Sequence, residues 1–242
     1  MSLVRSFKAR LNGLRHAVRR CVSYAQCGED LIIDYAARTL GLRSVRYLDI
    51  GAHHPTYLSN TYHFYRQGWR GVCVEPDLTL LPPFRKIRPH DRLLNVGIGV
   101  EEGPREFFIM TTPTLNTFSR QEAERYASYG SQRIERVETV HIRSVASILA
   151  EHFEEAPQLV SLDVEGLDFE ILRAFDFQRV RPPVFCVETL TYTEDGSERK
   201  LTEIIDFMRS QDYFDYADTY VNTIFIDRAA WARRPGMRHS GG

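Results

Sequence analysis

The chain has 242 residues, 43% of them hydrophobic and 26% charged; these globular values exclude wholesale disorder and allow one sizeable α/β domain with appendages. The net charge of −1 hides an asymmetry: residues 1–23 hold six basic side chains and no acidic one, leaving 25 basic against 32 acidic residues beyond them, which argues against nucleic acid as a partner of the main domain. Four cysteines without a CxxC pair, and the lack of a secretory leader or an apolar run of about 18 residues, argue against structural zinc and a membrane span and for a reducing, cytoplasmic setting.

In residues 1–23, Val4, Phe7, Leu11, Leu14 and Val18 fall at three- and four-residue steps and predict a helix with one apolar stripe and basic flanks. Two uses fit it: docking on the domain or on a sister subunit of a homo-oligomer, or lying on an anionic membrane surface, a peripheral contact. Next, "SYAQCGEDLIIDYAARTLGL" predicts a helix opened by Glu29 and Asp30 and closed by Gly41, where first-turn acids suit the helix dipole. From there β-rich runs alternate with helical ones, the sign of a mostly parallel sheet. Strands are predicted at Arg46–Ile50, Gly71–Glu75, Leu93–Ile98, Leu159–Val164 and Val184–Thr189, with a terminal hairpin at Tyr213–Ala217 and Asn222–Ile226. Helices are predicted at Leu58–Gln67, Val145–His152, Phe169–Ala174 and Leu201–Ser210. Residues 111–140, between the third and fourth strands, form an insertion suited to a lid or substrate wall. The division is then 1–23, a main domain at 24–227, and a fraying basic tail at 228–242.

The first strand ends in "LDIGAHHP", and a pyrophosphate cradle would want two further glycines where His53 and Pro55 stand. The second strand ends in "VCVEP", so Glu75 faces the same crevice and can accept both hydroxyls of a ribose. One glycine with a ribose-binding acid suits the slim methionine tail of S-adenosylmethionine better than a dinucleotide. A nicotinamide-dependent oxidoreductase and a non-catalytic binding protein stay open as rivals.

"AQCGED", "LDIGAHHPTYLSNTYHFYRQGWRGVCVEP", "NVGIG", "LVSLDVEGLDFEILRAFDF" and "VNTIF", in that order, resemble the FkbM-type S-adenosylmethionine-dependent methyltransferases. The resemblance implies the class I methyltransferase, Rossmann-like fold: seven strands, mostly parallel, the last antiparallel, with helices on both faces. It implies that Asp49, Gly51, Ala52 and His53 frame the methionine moiety, with Ser59 and Asn60 at the crevice floor. It also implies Glu75 and Pro76 at the ribose, and Asn95 and Val96 at the adenine. Asp163 at the fourth strand end would face both donor and acceptor. His54 either orients a nucleophile or caps the helix that follows.

Methyl transfer to an alcohol needs alignment and removal of a proton of high pKa. Asp163 and Glu165 supply either a base with its orienting partner or, with Glu188, ligands to a hard cation such as Mg²⁺. The expected activity is O-methylation of a hydroxyl on a sugar, polysaccharide precursor or natural product, that is, a small-molecule or glycan acceptor. Methylation of a carboxylate or amine, which needs no strong base, is the alternative.

Overall fold

In the computed structural model, which describes residues 21–236, the elements in chain order are α1 (Glu29–Thr39), β1 (Arg46–Ile50), α2 (Tyr62–Arg66), β2 (Arg70–Val74), α3 (Leu81–Ile87), β3 (Arg92–Leu94), β4 (Gly97–Ile98), β5 (Gly103–Met110), α4 (Arg120–Ser128), β6 (Ile134–Arg143), α5 (Val145–His152), β7 (Leu159–Leu162), α6 (Asp168–Arg173), β8 (Val184–Glu188), α7 (Thr202–Ser210), β9 (Tyr213–Asp218), β10 (Asn222–Asp227) and α8 (Arg228–Ala232). The amphipathic helix expected at 3–20 lies outside the described residues. No helix among the described residues is long and apolar enough to cross a membrane.

The main sheet runs β3-β2-β1-β7-β8-β10-β9. Pairing is parallel from β3 through β8, and β10 is antiparallel to both its neighbours. This is the class I methyltransferase arrangement, with its switch point between β1 and β7, where an open α/β sheet offers a crevice at its carboxyl edge.

Period-two alternation sorts the strand side chains into two cores. Leu48, Ile50, Val72, Val74, Val160, Leu162, Phe185 and Val187 pack toward α5, α6 and α7. Tyr47, Cys73, Leu159, Val184 and Cys186 pack on the opposite face with Ile33 and Ala37 of α1, Phe64 of α2 and Phe84 of α3. Helices answer with their own period: Ile204 and Met208 of α7, four residues apart, are fully buried, as are Ile148 of α5 and Leu172 of α6. Each such side chain contributes roughly 1.5–3 kcal/mol.

Several expectations need correcting. The predicted third strand, Leu93–Ile98, divides: β3 stays at the edge of the main sheet, whereas β4 joins β6 and β5 in a second, three-stranded sheet. Asn95 interrupts the ladder by donating its side-chain amide to the carbonyls of Glu75 (2.9 Å) and Pro76 (2.8 Å). The helix expected from Leu58 begins only at Tyr62, because Leu58 takes a left-handed conformation (φ 54°) and the Ser59 hydroxyl accepts the Tyr62 N–H (3.1 Å). The tail does not fray from 228: Asp227 caps α8 through the Ala230 N–H (2.6 Å), and Trp231 packs on Phe214 and Tyr216.

Candidate active site

At the carboxyl edge of the sheet, between β1, β2 and β7, lies a cavity of about 300 Å³. Gly51 turns the chain at its floor with φ 78°, and a Cβ there would stand 1.7 Å from the Asp163 carbonyl oxygen. The N–H groups of Gly51 and Ala52 both donate to the Val74 carbonyl, at 3.1 Å each, so the turn has no spare amides there to cradle a phosphate.

Glu75 enters the cavity from the end of β2 and is 5% exposed. Its carboxylate accepts the N–H of His53 (2.8 Å) on one oxygen and that of Asp77 (2.7 Å) on the other. Burial nevertheless pushes it up to about 8. A second lone pair on each oxygen is left for hydroxyls of a ligand.

Across the switch point stand Asp163, Glu165 and Glu188, with one oxygen of each within 4.8 Å of the others. Removal from water raises all three. Asp163 is pushed up to about 6, and burial together with the surrounding acids pushes Glu188 well above the usual carboxylate range. Glu165 sits in a left-handed turn (φ 55°) and accepts the Tyr126 hydroxyl (3.0 Å). Asp168 caps the turn that follows, accepting the N–H groups of Val164 (3.1 Å) and Gly166 (3.3 Å).

The cavity thus presents four carboxylates, Glu75, Asp163, Glu165 and Glu188, and among the described residues no Lys or Arg lines it. Burial holds the His53 imidazole on the wall below its ordinary value, so it adds no cation at neutral pH. A pyrophosphate would find no counter-charge here, whereas a sulfonium would find carboxyl oxygens around it.

Of the site residues expected from the sequence, the cavity gathers Gly51, His53, Asn60, Glu75, Pro76, Val96, Asp163, Glu165 and Glu188. Five lie elsewhere. Asp49 falls on the opposite sheet face by strand parity and bonds the Thr61 hydroxyl, 3.9 Å from Arg88. Ala52 is core beside it, Ser59 caps α2, and Asn95 braces the β2 end. His54 is corrected from a catalytic candidate to a turn cap, its Nδ1 accepting the N–H groups of Tyr57 (2.9 Å) and Thr56 (3.2 Å).

The sequence assigned no role to Gln26, Asn116, Tyr192 and Asn222, all of which line the cavity. "AQCGED" and "VNTIF" carried the signal for two of them. Glu29, fully buried, joins these runs by accepting the Asn222 amide (3.0 Å) and the Thr219 hydroxyl (2.7 Å). The insertion roofs the site: the Thr117 hydroxyl donates to the Glu165 carbonyl (2.8 Å) and the Asn116 amide to Asp77 (3.2 Å).

A profile of the methyltransferase FkbM domain matches residues 49–214. The chain belongs to the FkbM methyltransferase family. It is accordingly an S-adenosylmethionine-dependent methyltransferase. No curated protein matches the chain. Solved structures similar to this FkbM-family chain include 1,6-didemethyltoxoflavin-N1-methyltransferase of Burkholderia thailandensis, which holds S-adenosylhomocysteine (11% identity, TM-score 0.40, covering 82% of this chain and 74% of that one). A TehB-like methyltransferase of Corynebacterium glutamicum (10%, 0.42, 93% and 97%) and a putative O-methyltransferase of Klebsiella pneumoniae (10%, 0.41, 87% and 83%) are others. With superpositions this loose, the fold assignment rests on the strand order and the family match.

Proposed function

We propose that this methyltransferase transfers its methyl group to a hydroxyl oxygen of a sugar, polysaccharide precursor or natural product. The observation that carries this reading is the cluster of Asp163, Glu165 and Glu188 on the wall of the switch-point cavity, with one carboxylate oxygen of each within 4.8 Å of the others. An alcohol must lose its proton as the new bond forms, and a carboxylate raised toward neutrality by burial accepts protons better than an ordinary one. An amine or carboxylate acceptor needs no strong base, so such a cluster of acids suits a hydroxyl better.

The donor, when bound, supplies an activated methyl group on a sulfonium. Glu75 accepts its ribose hydroxyls, and the Gly51 turn and Asn60 border its methionine end. Asp163 takes the acceptor's proton, with Glu165 and Glu188 beside it. Glu165, Asp163 and Glu188 also fit a hard divalent cation such as Mg²⁺ by donor chemistry and spacing; such an ion would be held by those carboxylates and would acidify a bound hydroxyl. The free thiols of all four cysteines suit a cytoplasmic setting.

The test is calorimetry with S-adenosylhomocysteine beside turnover for Asp163→Asn. Retained binding with turnover lost about 100-fold or more supports the reading; undiminished turnover overturns it.

A further inference from the structure

The three-stranded sheet leaves one edge open. β6 pairs along its length with β5, whereas β4, on its other side, meets only Ile142 and Arg143. Among the described residues no strand pairs with that outer side over 134–141. We propose that a second copy of this chain pairs with this edge, β6 against β6 and antiparallel, about a two-fold axis at Val137.

The backbone is oriented for such a partner. Phe108 of β5 donates its N–H to Thr117 (2.9 Å) and accepts the Thr117 N–H (3.2 Å), so neither group is directed at β6. Val137 lies opposite Phe108; the two residues of such a pair exchange no bonds, and each turns its N–H and C=O outward. The same parity holds further along. Pro104, which has no N–H to give, lies opposite His141, and Arg143 accepts the Gly99 N–H (3.2 Å) on its outer side. Val137 and Thr139 therefore present donors and acceptors on an edge that no described strand covers.

The side chains suit pairing as well. Val137 is 47% exposed, and Glu135, Arg136, Thr139 and His141 are exposed with it. Edges that must stay apart are commonly guarded by lysine or proline. "IERVETVHIR" holds neither, and Ile134, Val137, Thr139, Val140 and Ile142 in it are β-branched.

The charges choose the partner and the register. Arg136 and Glu138 already pair along one face of the strand (2.6 Å). Centred on Val137, antiparallel pairing sets Arg136 of each copy beside Glu138 of the other, closing a ring of four alternating charges with the two valines side by side. Moving the centre by one residue puts Glu138 on Glu138 or Arg136 on Arg136. Moving it by two toward His141 runs Arg136 onto Ile142, whose outer side β4 holds. Like charges directly opposite are destabilising, so this edge selects its own copy in one register. A register shift of β6 opposite Ile109 and Met110 bends the strand near its start and keeps the pairing short. Such a dimer dissociates on dilution.

The test is sedimentation velocity of the full chain from about 5 to about 500 μM, the range in which a short interface forms and dissociates. The sedimentation coefficient should climb toward that of a dimer. Arg136→Glu and Glu138→Arg should each raise the dissociation constant about tenfold or more, and the two together should bring it back to within about threefold of the wild type. Val137→Pro removes an N–H that faces away from β5, so dimerisation should be lost while the thermal midpoint falls by only a few degrees. In a Cys21→Ser, Cys27→Ser background, which removes the exposed thiols, Val137→Cys should give a disulfide-linked dimer under mild oxidation, because opposed Cα atoms about 5.5 Å apart suit the bond. Thr139→Cys, about 13 Å from its counterpart in this register, should not. The inference is overturned if the wild type sediments as a monomer throughout, or if its dimer is indifferent to both charge reversals and to Val137→Pro, which would put the contact elsewhere. It is overturned equally if the double reversal fails to recover what the single ones lose, or if Thr139→Cys links as readily as Val137→Cys.

Discussion

Gly51 and the carbonyl of Asp163 approach so closely that a single added methyl on Gly51 would lie 1.7 Å from the Asp163 oxygen. The glycine is required by a neighbouring strand end as well as by its left-handed backbone (φ 78°). Asp163 N–H in turn donates to the Ile50 carbonyl (3.1 Å), so the donor turn and the proposed base are fixed to one another. Gly51→Ala should therefore cost about 3 kcal/mol or more in denaturant unfolding, from backbone strain and overpacking together. It should also abolish S-adenosylhomocysteine binding by calorimetry.

Glu75 links pH to stability. Burial raises it from 4.5 to about 8, so the folded state holds its proton more tightly than the unfolded chain. Its stabilising contribution is complete below about pH 4.5 and is lost as pH rises through about 8. Asp168, raised to about 7, and Asp163, raised to about 6, act in the same direction. In the ligand-free protein, Glu75→Gln should flatten, without abolishing, the fall in melting temperature between pH 5 and pH 8. It should also weaken S-adenosylhomocysteine about tenfold, because a ribose hydroxyl loses a carboxyl acceptor oxygen.

Turnover should follow the ionisation of Asp163. A base must be deprotonated to act, so kcat should fall as pH drops through about 6 and level off above it. Glu188→Gln removes one of the acids crowded beside Asp163. The inflection should then shift while part of the rate survives, whereas Asp163→Asn should leave no titrating limb.

Arg88, 2% exposed, anchors the face beneath the donor turn. Its guanidinium pairs with Asp91 (2.7 Å) and donates to the Thr61 (2.9 Å) and Tyr47 (3.2 Å) hydroxyls. Arg88→Met leaves Asp91 buried without its cation, and thermal or urea unfolding should show a loss of about 3–5 kcal/mol. Replacing Arg88 and Asp91 together with apolar residues should recover part of it.

Much of the framework was legible because it is written in local periods. β1 and α5 occupy the residues that alternation and helical spacing predict, and Gly51, Glu75 and Asp163 could be singled out because each closes a strand at the edge where an α/β sheet binds its ligands. The three-stranded second sheet was not legible: β4 is only two residues long, too short to carry a period, and its partner β6 lies across the insertion. His54 and Ser59 were misplaced because a polar side chain after a turn can face a ligand or a backbone amide, and only the path of the loop decides between them.

By itself the sequence determined the alternation of strands and helices, the single-glycine turn, and which carboxylates end which strands, since those depend on near neighbours along the chain. Only the tertiary structure decided that Asp49 turns away to the buried Arg88, that Asp168 caps the turn and leaves Asp163 with Glu188, and that Glu29 reaches Asn222 across 193 positions. Those outcomes depend on which side chains meet after the sheet has closed. Where they meet out of water, the balance between desolvation and pairing sets each acid's proton, and that balance has no signature in local sequence.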